Sequence, residues 1–253
     1  MGFYDLSELE REKLVKKVEQ EIHEDLLKNS QKNVIKYFSN EDTYIRKTAY
    51  FAISRVYFSE STLTSQIITT LTELFQNRNE AVRQTVVNAL GEIGKKDAQK
   101  ALPIYEKAMI DEAHEVRNAV IGSLKKMGEK NPQPVLEFSK KFLQNPDPEI
   151  RRQAVHGIEL RGRTHPEDIL PLLEQLQHEQ NKRVRETVIH VLGQISYKKG
   201  CLERVIAALK TWKNKGLVNS ALAEILETHK SYEKFSTKSL KEAEEYIKKN
   251  FNH

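Results

Sequence analysis

Six times along the chain a β-branched residue is followed at once by Arg, or in the last copy by Asn. The copies are Ile45-Arg46, Val82-Arg83, Val116-Arg117, Ile150-Arg151, Val184-Arg185 and Val218-Asn219, so successive offsets are 37, 34, 34, 34 and 34 residues. A period of this length predicts an array of stacked helical units, each too small to bury its own apolar face and each packed on its neighbours. Function in such an array lies on a surface assembled from equivalent positions of adjacent repeats, because no single fold encloses one pocket.

With the repeated Arg as position zero, apolar residues recur at positions minus one, three, four, seven and usually ten. These are Val82, Val86, Val87, Leu90 and Ile93 in the second copy, and Val184, Val188, Ile189, Leu192 and Ile195 in the fifth. That spacing predicts one wide buried stripe on a helix of about 14 residues. Gly94, Gly128 and Gly162 hold position eleven, where a left-handed residue would end each helix. A first helix precedes each of these, over 63–76, 98–110, 133–144, 167–178 and 202–213, and Pro103 and Pro171 inside two of them predict a shared kink. Asn77, Asp111, Asn145 and Glu179 all stand six residues before the Arg. Side chains there can cap the second helix and accept bonds from the Arg, giving a polar ladder, although a ligand-binding row of arginines is the alternative. The expected organisation is a capping helix within residues 1–32, an array over 33–232 and a second capping helix within 233–253.

Composition narrows the class. Charged residues make up 30% of the 253 and hydrophobic ones 38%, which suits a thin stack whose helices stay partly wet. One cysteine, Cys201, precludes an internal disulfide and reads as a packed residue, and the start of the chain lacks the apolar core of a signal peptide. Leu6 stands where a myristoylation signal needs Ser or Thr. The expectation is a cytoplasmic, monomeric protein without cofactors. The net charge of +5 comes entirely from Lys198 onward, where 12 Lys and Arg face 7 acidic residues.

The solvent stripe of the second helices falls at positions one, five, eight or nine, and twelve. Lys95-Lys96, Lys125-Lys126, Lys130, Arg161, Arg163 and Lys198-Lys199 cluster at the ends of these helices. Such cations complement the helix dipole, and they can equally form a rail for a sugar-phosphate backbone. With Arg152, His156 and His190 from the stripe, Lys95, Lys125, Lys126, Arg161, Arg163 and Lys198 are the candidate nucleic-acid contacts. His156 and His190 share one column with Glu159 a turn away, but two imidazoles fall short of a metal's three or four ligands, so no metal is expected. Tyr50, Phe51, Tyr57 and Phe58 near the first repeat are the candidate apolar patch for a protein partner. No phosphate-loop, dinucleotide or His-Glu-x-x-His signature occurs, and no nucleophile is paired with a base.

The pattern resembles the HEAT repeat family, in which an Asp or Asn, a Val-Arg pair, a small residue and a Leu-Gly pair recur. The segment NEAVRQTVVNALGEIG carries it most fully, with Gly91 in the Leu-Gly place. The likeness runs over Asn33–Tyr232 and implies an all-α, right-handed α-solenoid superhelix of about six helical pairs with capping helices. Pro146 to Trp212 resembles a narrower branch, the HEAT-like alkylpurine DNA glycosylases and their non-catalytic relatives, through Arg151-Arg152, Gly157, Arg161, Arg163, Val184-Arg185 and Ile195-Ser196. That likeness implies DNA held in a basic concave groove and, in active members, carboxylates stabilising a cationic sugar. Where the catalytic branch tends to carry Glu and Asp, this chain has His156 and Gln194; Glu159 and Glu92 remain as weak catalytic candidates. The resemblance therefore implies DNA binding without glycosylase activity. A protein-binding scaffold and an active glycosylase stay open beside it, and so does a regulatory subunit for a modification enzyme.

Overall fold

The computed structural model describes residues 2–251, and among them the only regular structure is helix. Helix α1 is Glu8–Leu27, α2 Lys32–Phe38, α3 Thr43–Ser59, α4 Thr64–Leu74, α5 Glu80–Ala108, α6 His114–Lys130 and α7 Pro132–Phe142. Then follow α8 Pro148–Gly157, α9 Glu159–Gly162, α10 Pro166–Glu174, α11 Lys182–Gln194, α12 Cys201–Thr211, α13 Lys215–Ser231 and α14 Leu240–Phe251. Asp97, with φ −129° and ψ 67°, breaks α5 into the second helix of one pair and the first helix of the next. The helices thus fall into the six expected pairs, and α1 and α14 lie where the capping helices were expected. None of them is long and apolar enough to cross a membrane.

The chain divides into two compact units between Asn131 and Pro132. In the first, α3, α5 and α6 pack in succession, and α1 covers α2 and α3. In the second, α8, α11 and α13 pack in succession, α10 packs on α12, and α14 covers α12 and α13. The periodic apolar positions form these cores: Val82, Val86, Val87, Leu90 and Ile93 are fully buried, as are Val184, Val188, Leu192 and Ile195. Trp212, at the C-cap of α12, is buried in the core of the second unit.

The repeated arginines build the ladder. Each donates through Nη1 to the carbonyls six and five residues before it, as Arg83 does to Asn77 and Arg78 at 2.9 and 3.1 Å. The remaining guanidinium edge reaches the next repeat: Arg83 binds the Asp111 carboxylate at 2.8 and 2.9 Å, and Arg151 binds Glu179 at the same two distances. The residue at minus six does not cap the helix, contrary to expectation. Its side chain accepts the N–H two residues on, as Asn77 does from Asn79 and Asn145 from Asp147, both at 2.9 Å. The residue at minus four is the cap, seen in Asp42, Asn79, Asp147 and Asn181. An Asx turn places the cap, and the Arg locks the turn from below.

Two further expectations change. Gly94, Gly128 and Gly162 all lie inside helices with negative φ, and Gly200, at φ 72°, is the one glycine among the described residues with positive φ. Position eleven is small because helices approach there: a Cβ on Gly94 would sit 2.6 Å from Met127 Cε, and one on Gly162 would overlap Ile169 and Ile195. The dihedral break in α5 falls at Asp97, six residues before Pro103, so the proline is not where the chain bends. The first helices also end two to four residues early, because their last turns tighten into i to i+3 bonds such as Gln76 N–H to Glu73 O at 2.9 Å.

Candidate functional site

Position five of two adjacent repeats brings His156 on α8 and His190 on α11 together, with ring centroids 5.5 Å apart. Between them rises Glu159. The second helix of this repeat is interrupted at Ile158 (φ −92°, ψ −2°) and resumes at Glu159, whose side chain is 2% exposed. Its Oε2 lies 3.2 Å from His156 Nδ1 and 4.0 Å from His190 Nε2. The other imidazole nitrogen of His190 faces Glu224 Oε1 at 3.5 Å. Arg163 Nη2 bridges Glu159 Oε1 at 2.6 Å and Gln194 Oε1 at 2.7 Å. Burying a carboxylate is costly unless it is paired, and Arg163 supplies the pairing charge.

An aromatic and cationic surface adjoins this cluster. The Arg163 guanidinium stands 5.9 Å from the centroid of Tyr197, which stacks on Tyr232 at 5.2 Å and 11°. Lys198 Nζ is 4.8 Å from the Tyr197 centroid and 5.9 Å from that of Phe235, itself 64% exposed. Thr237 N–H donates to Tyr197 O at 3.1 Å, fastening the segment between α13 and α14 beside the end of α11. Exposed Lys199 and Lys234 flank it. Tyr232 and Phe235 were not among the sequence candidates, because Tyr232 is the last residue of the expected array and Phe235 lies beyond it.

The structure thus gathers His156, His190 and Arg163 around one buried acid, with Lys198 on the adjoining surface. Other cations pair with carboxylates elsewhere. Arg152 is bidentate on Glu149 at 2.8 and 2.7 Å, and Arg161 binds Asp168 at 2.6 Å. In the first unit Lys95 and Lys126 both pair with Glu92, the latter at 3.7 Å, and Lys125 is half-buried. The Glu149–Arg152 pair follows an i, i+3 spacing that the sequence displays. The stripe assigned to solvent is also partly inward: Glu92, Glu159, Gln194 and Tyr197 are all buried.

The aromatic candidates divide. Tyr50 and Tyr57 are buried, and burial pushes each phenol up to about 12, with the Asp97 hydrogen bond adding to the effect at Tyr57. Phe51 is half-buried against Tyr50, and Phe58 alone is well exposed, at 44%. Phe58 borders a groove of about 780 Å³ between α1 and α3, with Lys16, Glu19, His23, Arg55 and Glu60. Cys201 is buried, donates to Arg163 O at 3.5 Å, and has its thiol pKa pushed up by burial.

Comparison with known proteins follows the fold. No curated protein sequence matches the chain. Among solved structures it is similar to AlkD2 from Streptococcus mutans, with 18% identity, coverage of 87% of this chain and 100% of that one, and a TM-score of 0.54. It is similar as well to the TOG domain of crescerin, a regulator of microtubules in the primary cilium. That likeness has 16% identity, coverage of 83% and 89%, and a TM-score of 0.51. The model of HEAT repeats matches residues 31–125 and 136–227, most of the chain. The chain therefore belongs to the HEAT repeat family.

Proposed function

We propose that this protein binds DNA through the surface formed by the segments that follow the second helices α11 and α13 and does not cleave N-glycosidic bonds. The observation that carries the reading is the surface of Lys198 and exposed Phe235, with the buried Tyr197 ring beneath Lys198 and exposed Lys199 and Lys234 flanking it. Cations that face solvent bind phosphates, and an exposed ring beside them gives an unstacked base about 1–3 kcal/mol of stacking. The resemblance of Pro146–Trp212 to the HEAT-like alkylpurine glycosylases supports a DNA ligand. The acids argue against the chemistry of the active members, since Glu159 is paired with Arg163 and Glu92 with Lys95 and Lys126. Both carboxylates are also buried, so neither stands where a nucleotide's developing sugar cation would lie.

Fluorescence polarisation with single-stranded, duplex and branched DNA across a salt series tests this reading. Lys198→Glu with Lys199→Glu is expected to weaken binding at least tenfold and to reduce the log–log salt slope by about 0.7–0.9 for each phosphate contact removed. Phe235→Ala is expected to weaken single-stranded binding most. These variants are preferred to changes at Arg161 or Arg163, whose ion pairs are internal to the fold. Equal affinity of the lysine variant and the parent would defeat the proposal, and release of methylated base from treated DNA would defeat its non-catalytic half. The groove between α1 and α3, with its exposed Phe58 and mixed charge, favours a protein partner as the second reading. Partner capture lost on Phe58→Asp, with DNA affinity absent in the parent protein, would establish it instead.

A further inference from the structure

Three acceptor atoms converge at the His156, Glu159 and His190 cluster. Their ligand atoms all lie within 4.8 Å of one another. His156 Nδ1 is buried without a hydrogen-bond partner, and Glu159 Oε2 stands 3.2 Å away. A carboxylate oxygen and an imidazole lone pair at that separation repel unless a proton or a cation lies between them. His190 repeats the arrangement. Its Nδ1 stands 3.5 Å from Glu224 Oε1 and its Nε2 4.0 Å from Glu159 Oε2, so the tautomer with Nδ1–H toward Glu224 has its lone pair on Nε2, the nitrogen nearer Glu159.

We propose that His156 Nδ1, Glu159 Oε2 and His190 Nε2 form a binding site for one divalent transition metal ion of the zinc class, with its remaining coordination positions taken by solvent. Two imidazoles and one carboxylate are a donor set suited to such ions. Donors at about 2.0–2.2 Å from the ion need to close the present spacing somewhat. His190 has the room to do so, being 44% exposed, while Glu159 is fixed by Arg163 on its other oxygen and His156 by its place on α8. Glu224 then serves as the outer carboxylate that orients a metal-bound imidazole. The site adjoins the aromatic and lysine surface through Arg163, which touches both Glu159 and the Tyr197 ring, but its own ligands include none of the residues that carry the DNA reading.

The test uses full-length protein without a histidine tag, stripped with chelator and titrated with zinc chloride in a calorimeter, with no nucleic acid present. Cobalt chloride in a parallel titration reports inner-sphere ligands through visible absorption. One ion per chain is expected at micromolar affinity or better, with binding lost in His156→Ala and in His190→Ala and weakened about 10–100-fold in Glu224→Gln. Circular dichroism melts verify that each variant is folded, and His190→Ala, at a partly exposed position, is the variant expected to leave the fold intact. Absence of stoichiometric binding to the parent overturns the site, as does binding that survives in the folded His190→Ala protein.

Discussion

At the residue scale, the guanidinium ladder joins local turn to neighbouring repeat in a single side chain. Arg83 and Asp111 have side chains 9% and 7% exposed, so removing the arginine strands a buried carboxylate. Arg83→Ala is expected to cost about 3–5 kcal/mol, the loss typical of breaking a buried pair from one side. Arg151→Ala is expected to approach that value. Arg46 reaches the neutral Gln84 at 3.3 Å, so Arg46→Ala is expected to cost about 1 kcal/mol. Urea denaturation of the three variants checks the ranking; equal losses would show that the acidic partner contributes nothing. Gly162 is a second test of close fit, since a Cβ there overlaps the side chains of Ile169 and Ile195. Gly162→Ala is expected to destabilise by about 1–3 kcal/mol through overpacking, although alanine favours helix. A gain in stability would show that the helices have room to part.

At the scale of the element, the second helices share a start signal and differ in one copy. Asn181 accepts from the N–H groups of Arg183 and Val184 at 3.0 and 3.3 Å, and Asn181→Ala is expected to lose about 1 kcal/mol. Helix α6 has Ala113 at its N-cap position, with a φ of −77° and ψ of 125° that are those of a cap, but an alanine side chain makes no capping bond. Ala113→Ser restores an acceptor in the same backbone conformation and is expected to raise stability by about 0.5–1 kcal/mol. Thermal melts of the two variants should move in opposite directions. The turn before each cap was misassigned from sequence for a local reason: Asn and Asp suit both an Asx turn and an N-cap, and a spacing of two residues does not separate the roles. The interruption at Ile158 carried no such signal. Neither proline nor a turn cluster marks it, yet it sets where Glu159 begins its short helix.

Across the whole molecule, acid should act in two stages. His229 is 1% exposed; burial holds its pKa below the ordinary 6.5, opposed by its bond to Ile225 O. The unfolded chain then binds the proton more readily, so stability is present above pH 6.5 and is lost as pH falls from that value. Glu179 and Asp111 form the second stage. The Arg151 hydrogen bond lowers Glu179 against the opposing effect of burial. At Asp111 burial pushes upward, but Arg83 and the Ala113 N–H together outweigh it and the net shift is downward. Their stabilisation is complete above the ordinary values of 4.5 and 3.8 and is lost as pH falls through their lower folded values. Melting temperature plotted against pH should therefore fall first below 6.5 and again below about 4.5. His229→Gln should flatten the first fall alone, and an unchanged slope between pH 5 and 6.5 would remove His229 as its source.

The spacing of Val-Arg pairs and of the apolar stripe determined the pairing of helices, the buried set and the arginine ladder, because stacked repeats make sequence interval equivalent to spatial neighbourhood. It also placed His156 and His190 in one column. Periodicity locates a residue on a helix but does not say which charge a neighbour will neutralise. For that reason Arg152, Arg161, Lys95 and Lys126 read as candidate nucleic-acid contacts, while the folded chain sets each against a carboxylate. Tyr50 and Tyr57 read as surface aromatics and are buried, because α1 and the second repeat cover α3 from outside its own period. Only tertiary structure could turn Glu159 inward between two imidazoles and bring Phe235 beside Lys198. Both depend on backbone breaks and nonperiodic segments, where distance along the chain no longer measures distance in space.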